Sequence, residues 1–501
     1  MKSKSRVSCI VCLFMFFFFA CTNSPIKVCP SNSHYFFYKN KPRVLITSDH
    51  HYGAVIDMDF DYAKYLEWLA ASDMDLTRIY PGGMFEPPDK YLKGNPLGPR
   101  QGRQLLPWAR SGQTGANPLL AEPGKPSYKF DLNKWNTDYF VRLKAFVRLA
   151  RQKNIIVEIP FFNGMYADCW PLMPLYYRNN IQDAGQYEAG DCGIFTTNDI
   201  RNREVIKYQT AYIKKIVTEL NEYDNIIFDI CDEPSLQGLA DGNITILQDS
   251  LVVPWLTAMK DAFLQAEESL PNKHLLGQTV QNLSPDLSRE SWCKWLAAEY
   301  AKPADKALTL DYQANKPVIN VESNYFGFNL SKNSYDVDAI RVEGWWFMLG
   351  GGAGCINLNG ELYRGQETGG TKTRTQIIPQ KKLLKDFMHS LDFVRMSRFS
   401  SYTGLPTDVF SSALSESGKQ YAFYIFHGAF EGEWGAHFMI SSGNWRDSLI
   451  LNTVPAGRYT AEWIDPATGV VKNSENVNSE NGNFRLITPP YSVDIALRIR
   501  K

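Results

Sequence analysis

A short apolar run that ends in acidic residues constrains the fold of this chain more than any other stretch. The run covers residues 225–235, NIIFDICDEPS, and delivers Asp232 and Glu233 at its end. A continuous apolar run of this length is typical of a strand buried in a parallel sheet. Asp also favours helix starts, so capping of a following helix is the alternative interpretation. Because paired carboxylates are costly to desolvate, we expect a functional role for them.

A second run of the same kind covers residues 316–325, KPVINVESNY, and delivers a single acid, Glu322. In a (β/α)8 barrel the strands end at one rim, and that rim carries the functional side chains. Glu233 and Glu322 would therefore face each other from two strand ends. Two carboxyl groups about 5 Å apart, one an acid/base and one a nucleophile, are what retaining glycoside hydrolysis requires.

Strand-like and helix-like segments alternate along most of the chain, with Glu233 after the fourth strand and Glu322 after the seventh. This alternation predicts an α/β fold, a (β/α)8 TIM barrel over residues 41–398. From about residue 400 to 501 short alternating runs predict a small all-β antiparallel sandwich. Its predicted strands are residues 421–427, 435–441, 448–451, 458–464, 483–487 and 493–499. The predicted barrel strands are residues 43–48, 75–80, 154–160, 225–231, 273–280, 294–300, 316–322 and 353–359, and the predicted helices are residues 60–71, 134–153, 200–223, 251–269, 335–350 and 383–395.

Two long segments, residues 81–135 and 164–198, lack periodicity and join predicted elements of the barrel. Long connections in compact domains are usually functional, so we expect them to form walls of a substrate cleft.

The composition narrows the class of partner. The 501 residues carry 53 basic and 53 acidic side chains, which gives a formal net charge of zero and no electrostatic footprint for nucleic acid. The seven His and nine Cys show no zinc-site spacing, so we expect neither a metal nor another cofactor. Aromatic residues make up 13% of the chain, which favours either sugar-stacking platforms or additional core.

The N-terminus has the pattern of an export signal. Basic residues precede an apolar run over residues 7–20, which is too short to span a membrane as a mature helix. Phe18-Phe19-Ala20-Cys21 is similar to a bacterial lipobox, with Phe18 where Leu is usual. We expect a signal peptide over residues 1–20, acylation of Cys21, and a lipid-proximal tether over residues 21–40. The predicted location is the outer membrane or periplasm of a Gram-negative bacterium, held to the membrane by lipid; ordinary secretion is the alternative.

Two cysteines bracket a polar loop within the segment over residues 164–198. In an exported protein Cys169 and Cys192 are able to form a disulfide, and both outcomes stay open. Cys231 and Cys355 lie within apolar runs and are predicted to be buried thiols.

The acidic strand ends, DEP at residues 232–234 and ES at residues 322–323, resemble those of the clan A retaining glycoside hydrolases, also called the 4/7 superfamily. More narrowly, GWWFMLGGGAGCINLNG at residues 344–360 and WIDPATG at residues 463–469 resemble a bacterial lipoprotein group. That group joins an apiosidase-like or cellulase-like barrel to a C-terminal collagen-binding-like domain.

This resemblance implies Glu233 as the acid/base, Glu322 as the nucleophile, and Arg78 as the second-strand Arg that steadies the nucleophile. One residue departs from the clan's pattern: Asp232 stands where Asn usually contacts the sugar 2-OH. Asp accepts the same hydrogen bond, but a second carboxylate would raise the pKa of Glu233.

The predicted function is retaining hydrolysis of a glycosidic bond in a plant or host polysaccharide or oligosaccharide, with His51, Asn163, Gln278 and Tyr325 as further substrate contacts. The alternative is a surface glycan-binding lipoprotein on a barrel that has lost catalysis. A metal-dependent barrel hydrolase is a weaker option. The terminal sandwich is interpreted as a structural domain or a binding domain.

Overall fold

The structure is a computed structural model, and it describes residues 24–185, 197–238, 244–280, 284–299, 312–322, 328–329, 334–431, 437–480 and 482–501. Eight parallel strands form a nearly closed barrel, which confirms the predicted fold class. Around the barrel the strands follow the order 1-8-7-6-5-4-3-2. In chain order they are Leu45–Ile46, Leu76–Arg78, Ile156–Met165, Ile226–Gly238, Leu275–Val280, Trp295–Glu299, Val318–Glu322 and Gly354–Cys355.

Side-chain carboxylates link the first and second barrel strands. They take the place of the backbone hydrogen bonds that join the other neighbouring strands. The backbone N–H of Ile46 donates to Asp75 Oδ1 at 3.2 Å, and the N–H of Arg78 donates to Asp49 Oδ2 at 2.6 Å. These bonds satisfy backbone donors that a ladder would otherwise use. As a result, two buried acids stand at this seam of the barrel.

Six α-helices whose bounds lie within the described residues accompany the barrel, and their apolar faces pack against its strands. The first three have side-chain caps from Asp61, Asn136 and Asn202, which accept from backbone N–H groups of the first turn. The helices are α1 (Tyr62–Ala71), α2 (Thr137–Gln152), α3 (Arg203–Leu220), α4 (Asp249–Glu268), α5 (Val337–Leu349) and α6 (Ile378–His389). Between the fifth and sixth strands, the described residues 284–294 form turns instead of the helix that a regular βα repeat would supply.

The predicted tether and the long segment over residues 81–135 both contain regular secondary structure. Lys27–Val28, Phe36–Tyr38 and Lys41–Arg43 form a three-stranded sheet packed on the base of the barrel, where the Ile26 N–H donates to Asp224 O at 2.9 Å. The segment over residues 81–135 contains an antiparallel pair, Trp108–Thr114 with Tyr128–Trp135. The sequence signal for this pair was weak because Trp108–Thr114 is largely solvent-exposed and lacks a clear apolar alternation.

The chain ends in antiparallel sheets packed on the barrel. A sheet of seven strands faces one of three strands, and their apolar side chains share one core. The strands are Ser397–Arg398, Tyr402–Thr403, Val409–Glu416, Gln420–Glu431, His437–Ile440, Ser448–Leu451, Gly457–Ile464, Val471–Ser479, Phe484–Ile487 and Asp494–Arg500. No helix within the described ranges combines the length and apolar character needed to cross a bilayer.

Candidate active site

The fourth barrel strand bulges where it carries the two acids. Its pairing with the third strand shifts register between Asn163 and Met165, and Glu233 has φ of 46°. A side chain in this left-handed region is uncommon and marks a constrained position. Asp232 and Glu233 are not helix caps, because α4 begins at Asp249 with Gln248 as its N-cap. The capping alternative is therefore wrong.

A glycine on the third strand allows the bulge to form. A Cβ on Gly164 would lie 2.6 Å from Glu233 O and 2.9 Å from Leu236 O. Both oxygens belong to the backbone and do not move aside cheaply, so this close approach of the two strands favours glycine at this position.

Asp232 is held by three donors. Arg78 Nη2 donates to its Oδ1 at 2.7 Å, while Asn163 Nδ2, at 2.8 Å, and the Tyr80 hydroxyl donate to its Oδ2. The side chain of Asp232 is only 2% exposed. Charge-assisted bonds of this kind fix the orientation of the carboxylate.

Asn163 presents an acceptor beside Asp232. Its amide nitrogen serves both Asp232 and Tyr80, whereas its Oδ1 has no partner among the described residues. A buried amide oxygen at the rim of the barrel that receives no hydrogen bond from the described residues is suited to accept one from a hydroxyl group.

Arg78 is fully buried beneath this pair and contacts several acids. Besides Asp232, its Nε lies 3.0 Å from Glu158 Oε1, and its Nη2 lies 3.9 Å from Glu299 Oε1. A buried Arg needs carboxylate partners because burying an unpaired charge is costly. These contacts place Arg78 at the centre of the acidic group, and its predicted effect on Glu322 stays a prediction.

Glu233 and Glu322 interact electrostatically at the rim. Burial, the carboxyl group of Asp232 and that of Glu322 raise the pKa of Glu233 well above its usual value. The Tyr166 hydroxyl donates to Glu233 Oε2 at 3.4 Å. A carboxyl group kept protonated beside an ionised one is the arrangement that separates a general acid from a nucleophile.

A third carboxyl group reaches the same place from the sixth strand. Oxygen atoms of Asp232, Glu299 and Glu322 all lie within 4.8 Å of one another, and all three residues are buried. A group of this geometry is able to hold a cation or to share protons. Glu299 was not among the residues predicted for the site; the signal was its position at the end of a predicted strand.

His51 joins the site to the segment that follows the second strand. Its Nε2 lies 3.3 Å from Glu86 Oε2, which also accepts from Asn95 Nδ2 at 2.6 Å. Burial alone would lower the pKa of His51, but the carboxyl groups of Glu86 and Glu322 outweigh it and raise the pKa. His51 therefore carries positive charge near Glu322 over a wider pH range than a free imidazole does.

Lys90 and two tyrosines, Tyr91 and Tyr166, lie next to one another near Glu233. Lys90 Nζ lies 4.7 Å from the ring centre of Tyr91 and 4.6 Å from that of Tyr166. Tyr91 is 50% exposed and has φ of 65°. An exposed aromatic ring on constrained backbone beside a buried acid suits stacking against a ligand.

The remaining predicted residues fall in two groups. Gln278 is buried on the fifth strand, where its Nε2 donates to Cys231 O at 3.3 Å and its Oε1 has no partner among the described residues. Tyr325, Cys21 and Cys192 lie outside the described residues. Cys169 is buried, and its pairing with Cys192 stays a prediction.

No family model matches the chain, and no curated protein matches it either. Solved structures do match it. A structure described as a glycoside hydrolase aligns with a TM-score of 0.59 at 11% identity, covering 96% of this chain and 97% of its own. A glycoside hydrolase of family 5 from Bacteroides vulgatus aligns with a TM-score of 0.55 at 12% identity, covering 95% of this chain and 93% of its own. The chain shares the fold of these glycoside hydrolases over nearly its whole length.

Proposed function

We propose that this protein is a retaining glycoside hydrolase that acts on a carbohydrate by double displacement. Glu322 attacks the anomeric carbon while Glu233 protonates the leaving oxygen, and Glu233 then activates water against the glycosyl-enzyme. The observation that carries the proposal is the pair itself: two glutamates from the fourth and seventh strands whose charges interact, with the pKa of Glu233 raised. The shared fold with glycoside hydrolases supports it.

The surrounding residues suit the two roles. Asp232 has its oxygens filled by Arg78, Tyr80 and Asn163, so we assign the acceptor for a sugar hydroxyl to Asn163 Oδ1 rather than to Asp232. His51 and Gln278 contribute polar groups on either side, and Tyr325 remains a predicted contact. The preferred substrates are plant or host polysaccharides and oligosaccharides.

Single variants of the two glutamates test the assignment. The purified protein is first screened on aryl glycosides and on plant and host glycans. On the best substrate, Glu233→Gln should lower kcat/KM by about 10²–10⁴-fold, the usual contribution of a general acid. Glu322→Gln should abolish turnover. Azide should rescue Glu233→Ala on an activated aryl glycoside and give a glycosyl azide of retained configuration, because the small anion attacks the glycosyl-enzyme without base assistance.

The control is Glu222→Gln, which alters an exposed carboxyl group that precedes the fourth strand, at the opposite end of that strand from Glu233, and should keep wild-type turnover. Wild-type turnover by Glu233→Gln would contradict the proposal. Binding of glycans without any turnover by the wild type would favour the glycan-binding lipoprotein instead. Loss of activity on chelation, with recovery on adding a divalent cation, would favour the metal-dependent alternative.

We also propose export of the protein and anchoring of Cys21 by lipid at the outer membrane or in the periplasm. The support is the sequence of residues 1–21. Labelling of the expressed chain with a fatty-acid analogue should mark the wild type and not Cys21→Ala. Equal labelling of both would contradict acylation at this residue.

A further inference from the structure

Glu299 ends the sixth barrel strand directly beside the proposed nucleophile. It pairs with Glu322 in the strand register, immediately after a shift between Ala298 and Glu299. Its side chain is fully buried, and no described residue donates a hydrogen bond to either of its oxygens. A buried carboxylate without donors is costly, so something must neutralise it.

The charged groups around Glu299 indicate how its buried carboxylate is neutralised. Asp232 and Glu322 present carboxyl oxygens within 4.8 Å from the fourth and seventh strands, and Arg78 is the guanidinium that reaches in from the second. Arg78 is already committed to Asp232 at 2.7 Å and to Glu158 at 3.0 Å. One guanidinium, even with the imidazolium of His51 near Glu322, does not offset this many carboxylates, and like charges at this separation do not both stay ionised.

A proton fits this place better than a metal ion. A divalent cation bound among these oxygens would stand within a few Å of the Arg78 guanidinium and be repelled by it. A proton on Glu299 removes the excess negative charge, needs no space, and turns an acceptor-only group into a donor. The neighbour in the strand register that can accept from it is Glu322.

We propose that Glu299 is a positioning residue that stays protonated in the resting enzyme and donates a hydrogen bond to the carboxylate of Glu322. This proposal rests on the proposed function. The bond orients Glu322 towards the anomeric carbon and favours its ionised form. The proton remains on Glu299 when Glu322 forms the bond to the sugar.

Two substitutions separate the neutral donor from other roles. Glu299→Gln keeps a neutral donor of similar shape, so kcat on the best aryl glycoside should stay within about tenfold of wild type. Glu299→Ala removes the donor and should lower kcat by about 10²-fold with little change in KM. In wild type, ionisation of Glu299 at high pH should lower kcat/KM. Glu299→Gln should not show this loss.

An infrared measurement tests the proton without using activity. The difference spectrum of wild type minus Glu299→Gln at pH 7 should contain the stretch of a protonated carboxyl group. A carboxylate pair of bands in its place would overturn the proposal, as would Glu299→Gln being as slow as Glu299→Ala. Activity that requires an added divalent cation would overturn it in favour of a metal site. Because the infrared result does not depend on turnover, failure of the glycosidase assignment is distinguishable from failure of this one.

Discussion

A single guanidinium, Arg78, lies among more buried acids than it can neutralise. Burial raises the pKa of Glu158 to about 8 and that of Asp229 to about 7, although Arg78 acts against both shifts. Burial also raises the pKa of Asp49 to about 7. At neutral pH protonation is therefore substantial for Glu158 and partial for Asp229 and Asp49, which reduces the buried negative charge that Arg78 must offset.

Sequence reasoning identified three of the acids at strand ends, but it missed Glu299 and the acids within the strands. Asp232, Glu233 and Glu322 stand out because an apolar run stops at them. Glu158 and Asp229 are single acids inside apolar runs, and the sequence does not show that both point into the barrel. The position of Arg78 among apolar residues of a predicted strand indicates that it has carboxylate partners, but it does not identify them.

We predict that the protein loses stability as pH rises from about 5 to 8. Glu158 binds a proton more tightly in the folded chain than in the unfolded chain, where its pKa is near 4.5. Its contribution to the free energy of unfolding is therefore complete below about pH 4.5 and is lost as pH approaches 8. Urea denaturation at several pH values should show a shallower slope for Glu158→Gln, by at most about 1.4 kcal/mol per pH unit.

The matched control is Glu222→Gln, which changes an exposed carboxyl group and should keep the wild-type slope. An identical slope for Glu158→Gln and wild type would show that Glu158 is already ionised in the folded chain.

At the scale of elements, the barrel strands were predictable because each is a short apolar run between helical patterns. The Ser448–Leu451 strand coincides with its predicted range. The Val471–Ser479 strand was missed, because its residues are mostly polar and exposed and it is held by pairing with Gly457–Ile464. The bulge at Glu233 was also beyond sequence reasoning, because it depends on contact between two strands.

We predict that Gly164→Ala reduces activity through this contact. The added Cβ would force apart the third and fourth strands at Glu233 O, which displaces the general acid. We expect kcat/KM to fall at least about tenfold and the free energy of unfolding to fall by about 1–3 kcal/mol, the usual cost of overpacking. Enzyme assays and urea denaturation measure the two effects.

Gly112→Ala is the matched control, because a Cβ at Gly112 has no atom within 4 Å. Its activity should equal that of wild type. If Gly164→Ala behaves in the same way, the close approach of the two strands does not position Glu233.

At the scale of the whole molecule, the terminal sandwich and the barrel share one apolar cluster. Trp345 of α5 stacks on Tyr424, and Trp346 packs edge-on against Phe426. Arg341 of α5 makes a two-pronged bond to Asp494, at 2.9 and 3.0 Å. The sequence predicted both domains, but their interface could not be read from it because each Trp looked like ordinary helix core.

We predict that the ion pair across this interface is important for stability. Both Arg341 and the Asp494 side chain are about 3% exposed, so Asp494→Ala leaves a buried guanidinium short of a partner and should cost about 3–5 kcal/mol. Asp338→Ala removes a partner of the same Arg341 that is 51% exposed and should cost under about 1 kcal/mol. Calorimetry should show a single transition in wild type, and equal losses from the two variants would contradict this account of the interface.

The most direct test of the double-displacement mechanism is identification of the residue that forms the covalent intermediate. The protein is incubated with activated 2-deoxy-2-fluoroglycosides of the sugar that it hydrolyses, and the trapped enzyme is digested and mapped by mass spectrometry. The account predicts one added fluoroglycosyl group, attached to Glu322. Attachment to another residue, or turnover with inversion and no adduct, would contradict it.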